Sequence, residues 1–227
     1  MKIICSQWQD AADLVAVYAG NDGSGVGAET DGPWDAAAWT PLRHTFTLPE
    51  TALGRTGQPF FLPEALGEIS VTLWCAARIS RLGKNVSARF ASRYYDGLTI
   101  GAVMQSRTLL ERQQREGLPW HAAMAFDAAV WVGRWLPPAE WDAMVAGQDG
   151  PAVTLQRDGE TLAKLDVSVV RGCVDWLLAA ESRWNLMRQG DLLLVGSGAT
   201  EGAVGVGRDD HLCFSLGEQP LLHVRVK

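Results

Sequence analysis

Residues 69–79 read ISVTLWCAARI, a long apolar segment without glycine or proline. Val71, Leu73 and Cys75 alternate with Thr72 and Trp74, so the two sets would point to opposite sides of an extended backbone. This alternation, together with the β-branched and aromatic residues, is typical of a strand. The segment therefore predicts a long apolar β-strand.

Short strands and a few helices are predicted on both sides of this segment. Asp158-Gly159 separates two strand-like runs and predicts a tight hairpin turn. Glycine-rich stretches at 20–34 and 196–207 predict loops. Strands are predicted at 2–5, 98–104, 153–157, 160–165, 191–195, 212–215 and 221–226, and helices at 9–17, 87–95, 108–116, 173–184 and from 137 onward. Many strands and few helices predict an α+β, β-dominated domain.

Composition excludes several classes of function. Lys and Arg number 20 against 26 Asp and Glu, and the net charge of −6 argues against nucleic-acid binding. The sequence contains no apolar stretch of about 18 residues, so no membrane span is predicted. The N-terminus lacks the features of a signal peptide, so we expect a cytoplasmic protein. The four cysteines are widely separated, which predicts reduced thiols and no zinc site.

Five segments, taken together and in order, resemble the fumarylacetoacetate hydrolase superfamily, and most closely its short bacterial branch of 2-keto-4-pentenoate hydratase and 2-oxohepta-3-ene-1,7-dioate hydratase-like proteins. They are PFFLP at 59–63, RISRLGKN at 78–85, YYDGLTIG at 94–101 with Arg107, GLPW at 117–120 with AFD at 125–127, and GDLLLVG at 190–196. The resemblance predicts a family-like domain over 56–227. Residues 1–55 match poorly and are predicted to form a strand, a helix and a glycine-rich loop packed on that domain.

The resemblance implies layered, rolled, mixed β-sheets with a few peripheral helices, a homodimer and a shallow cleft. In active members, two Glu on one strand and an Asp on the next hold Mg²⁺, Mn²⁺ or Ca²⁺, and the metal binds a 2-oxo acid. The chemistry is C–C hydrolysis, hydration, isomerisation or decarboxylation.

The family's three metal-ligand positions fall on unsuitable residues in this chain. The two Glu positions correspond to Thr72 and Trp74, and the Asp position corresponds to Val103. Hard divalent cations need several oxygen ligands, mainly carboxylates. A shifted register with Glu68 and Ser70 at the Glu positions breaks the match at the following turn and supplies only one Glu.

The family's supporting polar groups are replaced as well. Its Lys corresponds to Met124 and its Gln falls near Leu110, while its Thr corresponds to Ser197. Arg107 is a cleft candidate, but a structural or interface ion pair is the favoured interpretation. The lid residues fall near Asp13 and Ala16.

The chain contains ten tryptophans. We consider two roles for them: Trp8, Trp74, Trp120 and Trp131 line an aromatic pocket, or most of them pack in the core or at an interface.

These replacements predict a family member that has lost metal-dependent activity, with no cofactor and with a role in binding or scaffolding as a homodimer. Its partners would be a small organic ligand or an active relative, but neither nucleic acid nor a membrane. One alternative is an enzyme with altered, metal-free chemistry on a small keto compound. The other is a conventional metal-dependent hydrolase, hydratase or decarboxylase of 2-oxo acids, which would use Mg²⁺ or Mn²⁺ if the register above is wrong.

Overall fold

The computed structural model describes residues 1–8, 45–197 and 203–227. The strands described there are β1 (Ile3–Trp8), β2 (Thr45–Leu48), β3 (Ile69–Ile79), β4 (Tyr95–Ser106), β5 (Val130–Val132), β6 (Ala152–Arg157), β7 (Glu160–Asp166), β8 (Leu192–Ser197), β9 (Val204–Gly205), β10 (His211–Leu216) and β11 (Gln219–Arg225). The α-helices are α1 (Ala88–Ala91), α2 (Arg107–Glu116), α3 (Pro138–Ala146) and α4 (Val170–Trp184). Short 3-10 helices cover Glu50–Ala52, Glu64–Leu66 and His121–Ala123.

The described strands form two sheets. The larger has the order β2-β1-β8-β3-β4-β5, with β9 paired to the start of β3, and the smaller has the order β11-β10-β6-β7. β1 and β8 run parallel, and the other neighbours are antiparallel. The predicted β-dominated α+β fold is therefore confirmed.

β3 lies at the centre of the larger sheet, between β8 and β4, and apolar clusters cover both faces of the sheet there. Odd-numbered β3 residues, from Val71 to Ile79, join a large cluster that reaches the smaller sheet and α4. Trp74 and Ala76 point the other way, into a second and smaller cluster. This second cluster, called the Trp74 cluster below, contains the candidate functional site.

Most predicted elements agree with this structure where it describes them. Two are corrected: the helix predicted at 87–95 is only α1, with β4 beginning at Tyr95, and the loop predicted at 196–207 includes the end of β8 and all of β9. The hairpin turn between β6 and β7 has Asp158 and Gly159 at φ of 51° and 87°, as a type I′ turn requires. α2 ends at Gly117, which is left-handed as a C-cap glycine often is. The helix predicted at 9–17 and the loop at 20–34 lie outside the described residues.

β1 and β2 belong to the predicted N-terminal segment but are part of the larger sheet. β1 lies between β2 and β8, with Cys5 paired to Phe46 on one side and to Leu194 on the other. The division between 1–55 and 56–227 stays a prediction. Within the described parts of the chain, no helix is long and apolar enough to span a membrane.

Candidate functional site

The pairing of β3 with β4 brings the three predicted metal-ligand positions together. Thr72 is directly opposite Val103, and Trp74 is opposite Gly101. Thr72, Trp74 and Val103 are each exposed to solvent by 1% or less. Because the side chains of a strand alternate between its faces, all three lie on the side of the sheet that bears the Trp74 cluster.

The polar atoms of Thr72 and Trp74 satisfy each other. The indole N–H of Trp74 donates a hydrogen bond to Thr72 Oγ1 at 2.8 Å. The Thr72 hydroxyl in turn donates to the carbonyl oxygen of Val103 at 3.2 Å. Burial of a tryptophan without a partner for its N–H would cost free energy, and this relay removes that cost.

Two glycines on the neighbouring strands make room for the indole ring. A Cβ atom added to Gly196 of β8 would lie 2.5 Å from Trp74 Cδ2, and one added to Gly101 of β4 would lie 3.2 Å from Trp74 Cβ. A side chain at Gly196 would therefore occupy space that the ring already fills.

Two further predicted positions contact the same cluster from the other side. α2 begins after Ser106, whose Oγ accepts a hydrogen bond from the backbone N–H of Leu109, and this helix places Leu110 in the cluster. Met124 follows the 3-10 helix His121–Ala123 and is completely buried there. The structure thus brings Leu110 and Met124 together with Trp74 and Val103.

Phe46 and Trp120 complete an aromatic group at the edge of the cluster. Phe46 of β2 makes edge-to-face contacts with Trp74 and with Trp120, at centroid distances of 6.3 and 5.1 Å. The predicted four-tryptophan pocket is wrong in one member, because Trp131 lies in the large cluster on the opposite face of the sheet. Strand alternation explains this, since its neighbours Val130 and Val132 contact the Trp74 cluster. The side chain of Trp8 is not among those described.

Arg107 lies apart from the cluster. Its guanidinium is half exposed and lies 4.0 Å from Glu68 and 3.7 Å from Glu111, which agrees with the ion-pair interpretation. The shifted register would need Glu68 at the site, but its side chain is 78% exposed and belongs to this surface ion pair. Ser197 ends β8, and the orientation of its side chain lies outside the description.

The surroundings of the Trp74 cluster are apolar and disfavour charge. Cys5, a titratable member of the cluster, has a thiol pKa raised far above its ordinary value by burial, so the thiol stays protonated at neutral pH. A protonated, buried thiol is a poor nucleophile and a poor metal ligand.

The residues at this position do not fit a divalent metal ion. Mg²⁺ and Mn²⁺ bind through about six oxygens, several of them anionic. Among the three predicted ligand positions, Thr72 provides the side-chain oxygen. Its hydroxyl already accepts a hydrogen bond from Trp74 and donates one to Val103. Across residues 1–8, 45–197 and 203–227, no three His, Cys, Asp or Glu side chains come close enough to hold a metal.

Phe46 and the two glycines were missed by sequence reasoning. Phe46 contacts Trp74 only because β2 pairs with β1, a long-range pairing that no local pattern reveals. Gly196 offered a better signal, because a large residue on one strand often faces a small one on its neighbour.

Comparisons with known proteins place these features in a family. The model of the family described as "Fumarylacetoacetate (FAA) hydrolase C-terminal" matches residues 11–226. A mitochondrial oxaloacetate tautomerase of Arabidopsis thaliana is 26% identical over 72% of this chain and 71% of its own length. An oxaloacetate tautomerase of Escherichia coli is 22% identical over 67% of the chain and 68% of its own length.

A solved structure shows the same fold. Fumarylpyruvate hydrolase from Pseudomonas aeruginosa, in complex with Mn²⁺ and pyruvate, superimposes with a TM-score of 0.72. The match covers all of this chain and 89% of that one, at 23% sequence identity. The resemblance stated from the sequence is thereby confirmed.

Proposed function

Because the chain belongs to the fumarylacetoacetate hydrolase family, we propose that it is a member without metal-dependent chemistry, which acts as a binding or scaffolding protein. The observation that carries this proposal is the buried indole of Trp74, which is hydrogen-bonded to Thr72 and packed against Val103. A catalytic cleft must admit substrate and must hold charge that develops in the transition state. The described side chains at these positions are buried in an apolar cluster.

The free energy of folding supports the same interpretation. A cluster of carboxylates needs a cation to offset mutual repulsion and the loss of solvation. A buried tryptophan removes roughly 200 Å² from water, which contributes at most about 5 kcal/mol at about 25 cal/mol per Å². A solved relative of this fold was crystallised with Mn²⁺ and pyruvate. In this chain, the positions that the resemblance assigns to metal ligands instead hold a side chain that stabilises the core.

We further propose that the protein forms a homodimer. It could also pair with an active relative of the same family. The family resemblance motivates the dimer. The ten tryptophans of the chain are a second motive, because this residue type is enriched at protein interfaces.

Activity assays test the loss of metal-dependent chemistry. The names of the two tautomerases suggest oxaloacetate as the first substrate. The name of the solved relative suggests fumarylpyruvate as the second, and other 2,4-dioxo acids follow. We expect no turnover above the uncatalysed rate with Mg²⁺ or Mn²⁺. Turnover that disappears in chelator and returns with metal would overturn the proposal. Turnover unaffected by chelator would instead favour metal-free chemistry.

A further inference from the structure

An exposed basic surface lies beyond the end of β3, away from the Trp74 cluster. It is built from residues 81–93 and residues 183–188, in a chain whose net charge is −6. Its exposed cations are Arg81, Lys84, Arg89, Arg93, Arg183 and Arg188. We call these six residues, with the apolar side chains between them, the basic surface.

Hydrogen bonds hold the two segments together as one surface. Gly83 and Met187 exchange a pair of backbone hydrogen bonds of 3.0 and 2.9 Å. The ammonium of Lys84 donates to the carbonyl oxygens of Arg183 and Trp184, at the C-terminal end of α4. α1, which carries Arg89, packs against α4. The geometry of this surface is therefore fixed by the fold.

The charge of the arginines on the basic surface is not neutralised by any carboxylate of the described residues. Within the described part of the chain, no Asp or Glu lies within ion-pair distance of any of the five. Arg89 and Arg93 instead stack on the ring of Phe90, at 4.5 and 4.7 Å. Of the carboxylates in the neighbouring sequence, Glu181 and Asp191 are buried, and the exposed Asp96 is paired with Arg78. The positive charge of this surface is thus available to an outside group.

Apolar side chains are exposed among these charges. Leu82 is 68% exposed and Trp184 is 51% exposed, with Leu186 and Phe90 at 39% and 36%. Exposed tryptophan and arginine close together are characteristic of the central residues of protein interfaces.

We propose that the basic surface docks an acidic segment of another protein, whose carboxylates pair with the arginines and whose apolar residues pack on Leu82 and Trp184. A twofold contact with a second copy would bring the same positive charges together, which is unfavourable. Nucleic acid fits less well, because the net charge of the chain is −6 and repels phosphates outside this surface. Trp184 and Phe90 can stack on bases, so the test below includes an oligonucleotide.

The basic surface shares no residue with the Trp74 cluster. An experiment that disproves docking at this surface would therefore leave the proposed loss of metal chemistry intact. An experiment that finds metal-dependent activity would likewise leave the docking proposal intact.

Fluorescence anisotropy with a defined probe tests the proposal. The probe is a fluorescein-labelled peptide that repeats Glu-Leu-Asp-Phe, and its neutral counterpart carries Gln and Asn in place of the acids. We expect saturable binding of the acidic peptide that weakens with added salt, and much weaker binding of the neutral one. Combining Arg89→Ala, Arg93→Ala and Arg183→Ala should reduce the affinity about tenfold. Trp184→Ala should reduce it several-fold by removing the apolar contact.

A control variant removes the same charge elsewhere. Arg55→Ala, Arg115→Ala and Arg208→Ala change three exposed arginines outside the basic surface and should leave the affinity unchanged. An equal loss in this control, or no saturable binding of the acidic peptide at low salt, would overturn the proposal. It would also be overturned if a labelled oligothymidylate or phosphatidylserine vesicles bound the surface more tightly than the peptide.

Discussion

The indole ring of Trp74 is completely buried, and its N–H donates a hydrogen bond to another buried side chain. The ring fits only because the residue opposite it on the neighbouring strand is a glycine. The ring contacts the position of Gly196 so closely that no side chain fits there. Its nitrogen bonds to Thr72. A substitution at Trp74 should therefore affect packing and hydrogen bonding separately, and the two effects can be measured.

The first prediction concerns Trp74 itself. Trp74→Ala should lower the free energy of unfolding by about 3–5 kcal/mol, because it leaves a cavity in a fully buried site. Trp74→Phe keeps most of the volume but loses the bond to Thr72, and it should cost about 1–2 kcal/mol. Urea unfolding of both variants measures this. A cost below about 1 kcal/mol for Trp74→Ala would show that the ring does not pack in the core.

The second prediction concerns the contact between Gly196 and Trp74. Gly196→Ala should destabilise the protein by about 1–3 kcal/mol, because its new Cβ collides with the indole. The same change should cost less in the Trp74→Ala background, where the ring is gone and the remaining close contact is with the backbone oxygen of Leu73. A double-mutant cycle gives the coupling. Additive costs would contradict the contact.

At the scale of elements, a single carboxylate fixes the junction of β1 and β8. Asp191 accepts hydrogen bonds from the backbone N–H groups of Lys2 and Arg188, at 2.8 and 2.9 Å. The ammonium of Lys2 lies 3.0 Å away. Burial raises the pKa of Asp191, but these bonds and the nearby ammonium outweigh it and hold the pKa below its ordinary value.

The third prediction follows from the direction of this pKa shift. A carboxyl whose pKa is lowered by folding contributes stability above its ordinary pKa of about 3.9, and loses it as the pH falls through the lower folded-state value. Asp191→Asn should therefore cost about 2 kcal/mol at pH 7 and progressively less below about pH 4. Urea unfolding across this pH range measures the difference.

An exposed carboxylate provides the control for Asp191. Asp96 pairs with Arg78 at the surface and is half exposed, so Asp96→Asn should cost less than about 1 kcal/mol at pH 7. If the two Asn variants lose the same stability, the anchoring role of Asp191 is wrong.

Local patterns predicted most elements because each has a local cause. The alternation in 69–79 gave β3 and the assignment of its two faces, and Asp158-Gly159 gave the hairpin. The sequence could not predict that β1 lies between β2 and β8, because strand order depends on contacts between distant segments. For the same reason the site was predicted only in part. Thr72, Trp74 and Val103 lie on two strands of clear register, but Phe46 reaches them through the order of the sheet.

At the scale of the molecule, the two sheets and the clusters on both faces of β3 stabilise the family fold with no carboxylate at positions 72, 74 and 103. The large cluster joins the sheets, and the Trp74 cluster packs the opposite face of β3. The proposed loss of the metal site predicts that these strands keep their places without a bound ion.

The fourth prediction concerns assembly. Light scattering at micromolar concentration should give about twice the chain mass of 24.6 kDa. The Arg89→Ala, Arg93→Ala and Arg183→Ala variant should give the same mass, because a twofold contact through the basic surface is unfavourable. A monomeric wild-type protein would contradict the proposed homodimer.

A redesigned site provides the comparison for the central claim. Thr72→Glu, Trp74→Glu and Val103→Asp together restore three carboxylates to the paired positions of β3 and β4. Without metal these groups repel one another, so the melting temperature of the variant should fall in chelator and rise with Mn²⁺. Little turnover is expected, because Met124 and Leu110 still replace the supporting polar groups.

Calorimetric titration with Mn²⁺ tests most directly whether the apolar cluster has replaced a metal site. The wild-type protein should give no saturable heat of binding, because Thr72 is its only oxygen-bearing side chain among the three positions and is already hydrogen-bonded. The triple variant should bind Mn²⁺ saturably. Saturable binding of Mn²⁺ to the wild-type protein in the micromolar range, together with activity that disappears in chelator, would contradict the account.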